Sequence, residues 1–210
     1  MRPATVGELL DAAVARDPGA LALVDEERRL TYAALDGEVG RAARVLVECR
    51  VRRGTAVAAS AANGIDLVVA FLATMRLGAR WVGIGRALPA PDMEFLLRHS
   101  GARVVLTDRD DVDDRGARRV VHLGPGGAWR SRLARAEPLR RASTPDPLAP
   151  AALAYTSGTT GRPKGVVHSQ HNITLPARYS ATTSDFDATS VVGIASVSYT
   201  HLTLPTNREV

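Results

Sequence analysis

Apolar and polar positions alternate along the chain in short, well-punctuated stretches. Val6, Leu9, Leu10, Ala13 and Val14 recur at helical spacing behind a capping box, Thr5-Val-Gly-Glu8, and Pro18-Gly19 stops the pattern. Ala20 to Val24 and Arg29 to Tyr32, on either side of Asp25-Glu26-Glu27, predict a hairpin. Leu35, Val39, Ala42, Ala43 and Leu46 then mark a second helix that ends near Cys49. Thr55 to Ser60 predicts a strand of small residues, and Asn63 offers an N-cap, with Asp66 in the first turn, for a helix through Leu77 closed by Gly78. Trp81 to Ile84 is the next strand. Pro89 and Pro91 open a helix carrying Met93, Leu96 and Leu97, Ser100-Gly101 closes it, and Arg103 to Thr107 follows as a β-branched strand.

Further along, Arg109 to Arg119 is a mixed-charge surface segment, Val120 to Leu123 a strand and Gly124-Pro-Gly-Gly127 a turn. From Arg130 to Pro150 no period is visible, and Pro138, Pro145, Pro147 and Pro150 disfavour any long element, so this stretch reads as a connector. Leu153 to Thr156 and Val166 to His168 are strands flanking a Gly/Ser/Thr loop. A helix is predicted from His171 or Asn172, with Pro176 in its first turns or at a kink, and Ser190 to Ala195 is a further strand. Regular alternation of strand and helix predicts an α/β fold with a mainly parallel sheet and flanking helices.

Composition narrows the function classes. An apolar share of 45% supports a sizeable core. The formal charge of +5 comes with scattered arginines, interleaved acids and only 4% aromatic residues, which argues against nucleic-acid binding. Cys49 is the only cysteine, which excludes an internal disulfide and points to a reducing cytoplasm. The longest apolar run, Leu67 to Phe71 extended through Met75, is far short of the ~20 residues that span a bilayer, and the first residues lack an apolar signal core.

The candidate chemistry lies in Leu153-Ala-Tyr-Thr-Ser-Gly-Thr-Thr-Gly-Arg-Pro-Lys-Gly165. Gly158, Gly161 and Gly165 permit positive φ and close approach of backbone N–H groups to an anion, and Thr156, Ser157, Thr159 and Thr160 add hydroxyl donors. Of the 27 basic residues, Lys164 is the only lysine, so this position calls for a compact, mobile ammonium. The Walker A pattern does not fit, because Arg162-Pro163 separates Gly161 from Lys164 and β-branched residues follow where a helix should begin. The spacing therefore predicts strand–loop–strand. Gly83-Ile-Gly85 lacks the third glycine and the acidic residue of a dinucleotide fingerprint.

Tyr155-Thr-Ser-Gly-Thr-Thr-Gly-Arg-Pro-Lys-Gly165 resembles the signature of the adenylate-forming superfamily, which comprises acyl- and aryl-CoA synthetases, nonribosomal peptide adenylation domains and luciferases. Leu30-Thr-Tyr-Ala-Ala-Leu35, Leu77-Gly-Ala-Arg-Trp-Val82, Phe95 to Val105 and His171-Asn172 extend the similarity over residues 5 to 195. Val82-Gly-Ile-Gly-Arg86 departs from the family's Val-Pro segment in a way that resembles acyl-CoA synthetases. The resemblance implies part of a large N-terminal domain and two half-reactions: a carboxylate attacks the α-phosphate of Mg-ATP, and a thiol, CoA or alternatively that of a carrier protein, then takes the acyl group. A non-catalytic nucleotide-binding module is the reading from another class.

By the resemblance, Lys164 is catalytic and Thr156, Ser157, Gly158, Thr159, Thr160, Gly161 and Lys164 hold the nucleotide phosphates. No residue is assigned to Mg²⁺, because the family's downstream Thr-Glu falls outside these residues. His168 and His171 read as structural neighbours of the loop. Residues 1–196 are read as the front part of the AMP-binding domain. Val197-Ser-Tyr-Thr-His-Leu-Thr-Leu-Pro-Thr206 resembles translated sequencing-adapter DNA, and 197–210 is read as a non-native tail that also supplies His201. A sheet cut part-way would expose a strand edge and an apolar face.

Overall fold

A computed structural model describes residues 2–112, 118–139, 144–156, 163–183, 190 and 192. Helix α1 (Val6–Arg16) begins at the expected capping box: the Thr5 hydroxyl accepts the Glu8 N–H at 3.1 Å, and the Glu8 carboxylate accepts the Thr5 N–H at 2.6 Å. Strands β1 (Leu21–Val24) and β2 (Arg29–Thr31) form the antiparallel hairpin, and α2 (Tyr32–Glu48) follows. Next come β3 (Ala56–Ser60), α3 (Ile65–Arg76), β4 (Arg80–Gly83), α4 (Ala90–Ser100) and β5 (Val104–Thr107). The described elements end with β6 (Arg119–His122), α5 (Ala128–Arg135), β7 (Pro150–Thr156), β8 (Lys164–Ser169) and α6 (Gln170–Thr183).

The main sheet has the order β6-β5-β3-β4-β7-β8, parallel throughout except for the antiparallel β7–β8 pair. Both of its faces are covered, which is why β3 is built of small and apolar residues and buried along its whole length. The period-2 alternation of the strand sends Val57 and Ala59 into one core with α1, α2, α3 and α5. Ala56 and Ala58 point the other way, onto Met93, Leu96 and Leu97 of α4. Among the described residues β8 lies at the sheet edge, with Val166 and Val167 exposed.

Gln170 locks the last helix into this frame. It is 1% exposed, its side-chain oxygen accepts the Val6 N–H at 2.9 Å, and its amide donates to the Met75 carbonyl at 2.9 Å. The start of α6 is thereby tied to the start of α1 and the end of α3. Pro176 sits inside α6, where its missing N–H leaves the carbonyl four residues back without a helical donor.

Two expectations fail for physical reasons. Asn63 does not cap α3; the N-cap position is Gly64, and the Ile65 N–H donates instead to Asp25 of the hairpin turn at 2.9 Å. Helix α5 begins just before the stretch read as a connector and runs on into it, with Trp129 and Leu133 buried. Two apolar residues one turn apart in an Arg-rich segment give too little period to detect. The strand expected over Ser190 to Ala195 lies, apart from Ser190 and Val192, outside the described residues.

Asp25 carries a pH prediction. Burial pushes its carboxyl up, but the N–H groups of Ile65, Arg28 and Glu27 outweigh that and hold it below the ordinary value of 3.8. A carboxyl with a lowered folded-state pKa stabilises the fold fully above its unfolded value and loses that contribution as the pH falls through the folded one. Asp25→Ala is therefore expected to cost about 1–2 kcal/mol at pH 7, the scale of a lost helix cap. The difference from the parent protein should shrink below pH 4, as read by denaturant melts at pH 7 and pH 3. A difference that stays constant across that range refutes the assignment.

Candidate functional site

Strands β7 and β8 pair from Ala152–His168 through Tyr155–Gly165 to Thr156–Lys164. Thr156 and Lys164 thus face each other as the last pair before the loop, with Cα atoms about 5 Å apart in such a ladder. Both are exposed. Ser157, Gly158, Thr159, Thr160 and Gly161 lie outside the described residues. The observed geometry is strand–loop–strand, and Val166 and Val167 belong to β8 where a Walker loop would begin a helix. The pair can present a hydroxyl and an ammonium to one anion at the C-terminal end of β7.

Gly165 acts differently from the sequence-based expectation. It is absent from the glycines with positive φ and lies in β8 as ordinary strand. A β-carbon there would come within 3.1 Å of Leu153 Cδ2 and 3.3 Å of the Tyr155 ring, so glycine lets that ring lie across the neighbouring strand. The Tyr155 hydroxyl hydrogen-bonds to Nδ1 of His99 at 2.8 Å, and burial pushes its pKa up. His99 meets the Tyr155 ring edge-on with centroids 5.6 Å apart and stacks on Phe95 at 5.7 Å. The residue that leads into the loop is therefore anchored to α4 across 56 positions of sequence, a link no local pattern could reveal.

The same edge of the sheet carries a second network the sequence did not disclose. Arg86, after β4, pairs with Asp108, after β5, at 2.9 and 3.0 Å, and Asp108 also accepts the Ala62 N–H, after β3, at 3.0 Å. Arg109 holds Asp111 at 2.6 and 2.8 Å and donates to the Arg86 and Leu88 carbonyls at 2.9 and 2.7 Å. Its hydrogen bond to Asp111 raises the Arg109 pKa and lowers that of Asp111. Three successive strand-end loops are laced together beside the β7 terminus.

The two motif-flanking histidines are not brought to the loop. His168 faces Ala152, about 13 Å along β8 from Lys164 at the rise of an extended strand. His171 lies in α6; its N–H donates to the Pro147 carbonyl at 2.9 Å, and its Nδ1 is buried without a partner. Among the described residues there is no group of three His, Cys, Asp or Glu placed to hold a metal, and no helix long and apolar enough to cross a membrane.

The family model described as AMP-binding enzyme matches residues 10–203. Long-chain-fatty-acid–CoA ligase FadD13 of Mycobacterium tuberculosis is 33% identical over 165 residues, covering 75% of this chain and 33% of its own. Surfactin synthase subunit 2 of Bacillus subtilis is 32% identical over 77% of this chain and 4% of its own. The ATP-bound crystal structure of MatB from Rhodopseudomonas palustris superposes with a TM-score of 0.76 at 26% identity, covering 84% of this chain and 37% of that one. The chain thus spans about a third of the length of FadD13. The mainly parallel sheet with flanking helices is that of the N-terminal part of adenylate-forming enzymes.

Proposed function

The chain belongs to the AMP-binding enzyme family, and on that premise we propose that it supplies the phosphate-holding half of an active site that adenylates a carboxylic acid. The observation carrying this reading is the Thr156–Lys164 pair at the mouth of a strand–loop–strand hairpin, the only lysine of the chain facing a hydroxyl residue. In a protein of the relatives' length, a carboxylate oxygen attacks the α-phosphorus of ATP and pyrophosphate leaves. Thr156, Ser157, Gly158, Thr159, Thr160, Gly161 and Lys164 hold the β- and γ-phosphates as negative charge gathers on the leaving group. Magnesium bound with the nucleotide would neutralise part of the same charge; none of this chain's residues is assigned to it. A thiolate then attacks the acyl carbon and AMP departs.

For the acceptor, CoA is the first choice. The similarity to FadD13 and the Val82-Gly-Ile-Gly-Arg86 segment support it. The similarity to surfactin synthase subunit 2 supports a carrier-protein thiol as the second reading. The buried thiol of Cys49 suits work in a reducing cytoplasm. Assaying a protein of full relatives' length for carboxylate-dependent ATP–pyrophosphate exchange, then for thioester formation with CoA, tests both steps. Exchange together with acyl-CoA is the expected result. Exchange without acyl-CoA moves the acceptor to a carrier protein, and no exchange with any carboxylate refutes adenylation.

A further inference from the structure

At the end of the sheet opposite Thr156 lies a cleft of about 1330 Å³ lined by eight arginines and, among the described residues, no carboxylate. Strand pairing sets the arginines in a row. Arg80 opens β4 beside Ala56 of β3, Arg103 donates its N–H to the Ala56 carbonyl from the other side, and Arg119 opens β6 and donates its N–H to the Arg103 carbonyl at 2.8 Å. Arg119 and Arg103 sit on adjacent strands about 4.8 Å apart, and Arg80 lies two strands from Arg103 with Ala56 of β3 between them. Arg50, Arg52 and Arg53, in the turn before β3, line the same cleft.

Two of the eight are already neutralised: Arg118 by Glu94 at 2.7 Å and Arg132 by Glu48 at 3.2 Å. Arg50, Arg52, Arg53, Arg80, Arg103 and Arg119 have no ion pair among the described residues. Such a gathering of like charge works against the compact state unless an anion joins it. The turn is nevertheless held in place. Gly54 N–H donates to the Gly78 carbonyl and Thr55 N–H to the Arg52 carbonyl, both at 2.9 Å, while Arg80 Nε donates to the Gly54 carbonyl at 2.9 Å. Arg50 is the only non-glycine residue with positive φ among the described residues, at 64°. Just past the end of α2 glycine is the relaxed choice, and the chain instead carries a guanidinium that lines the cleft.

From this we propose that the cleft is a second anion site, for a compact polyphosphorylated small molecule, separate from the Thr156–Lys164 hairpin. Guanidinium forks match phosphate oxygens in pairs. Among the described residues the lining has no aromatic side chain on which a base could stack, and a concave wall suits a small anion better than a nucleic-acid strand or a bilayer. The site does not depend on adenylation, so its test does not either.

Inorganic tripolyphosphate titrated calorimetrically into the 210-residue chain at matched ionic strength is the direct probe. The double substitution R103A/R119A should weaken binding at least about tenfold, the scale of losing two charge-assisted contacts. The comparison is made in K164A, which removes the hairpin's hold on the triphosphate, so that the loss is read from the cleft alone. Tripolyphosphate should raise the melting temperature of K164A, but not of K164A/R103A/R119A. Should R103A/R119A fail to fold, R50G removes one guanidinium while relaxing the backbone, and a several-fold weaker binding is again expected. No binding, loss of binding in K164A alone, equal affinity for sulfate, or preference for anionic phosphatidylglycerol vesicles over free tripolyphosphate would each overturn the proposal.

Discussion

Asp66→Ala is expected to remove about 3 kcal/mol of folding stability, the lower end of the range for breaking a buried ion pair. The carboxylate lies in the first turn of α3 with its side chain only 8% exposed. One oxygen accepts from Arg28 of the hairpin at 2.7 Å, the other from Arg130 of α5 at 2.7 Å. Those arginines reach on to Glu38 and Glu27, so one carboxylate joins the hairpin, α2, α3 and α5. Removing it strands two guanidinium groups that are 23% and 29% exposed, and partial access to water is why the lower end applies. Urea denaturation of parent and variant reads the loss directly. Glu94→Ala supplies the contrast, because its side chain is 44% exposed and its pair with Arg118 should be worth under about 1 kcal/mol. Equal losses at the two positions, or under about 1 kcal/mol at Asp66, would mean the network does not hold these elements together.

Asp66 also shows where reading from sequence stops. Its place near the start of a helix suggested a local role at the N-terminus, and the helix is there. Its partners, 38 and 64 positions away, make it a tertiary junction instead. The same division runs through the molecule. Thr5 and Glu8 could be recognised because both ends of a capping box lie within one turn. Asn63 misled because Asp25, from another element, captured the N–H that a local cap would have satisfied. The parallel sheet was legible because strands buried on both faces must be short, apolar and separated by helices. Helix α5 was not, since its stability rests on Trp129 meeting a core that no window of sequence contains. At the site, spacing excluded the Walker geometry and composition singled out Lys164, the only lysine of the chain. The anchoring of Tyr155 by His99, and the Arg86–Asp108–Arg109 network beside it, required the fold.

Lys164→Ala, in a protein of the relatives' full length, is expected to lower the rate of ATP–pyrophosphate exchange by about 10²- to 10³-fold, the usual effect of losing one donor to developing charge. The expectation rests on position. Lys164 is the first residue of β8, paired across the ladder with Thr156, so rigid strands fix its Cα while the exposed side chain stays free to follow the phosphates. Because the ammonium touches no packed core, the variant should melt within a degree or two of the parent, as surface substitutions do. A lost donor that matters only in the transition state lowers kcat and kcat/KM together, whereas a ground-state contact raises KM alone. Lys164→Arg sharpens the test further. It keeps the charge but replaces a compact, rotating head with a longer planar fork, so it should recover only part of the loss. Full activity in Lys164→Arg would show that charge alone suffices at this position. A change of less than a few-fold in Lys164→Ala, with the fold intact, would remove Lys164 from the chemistry and leave the hairpin as a binding element alone.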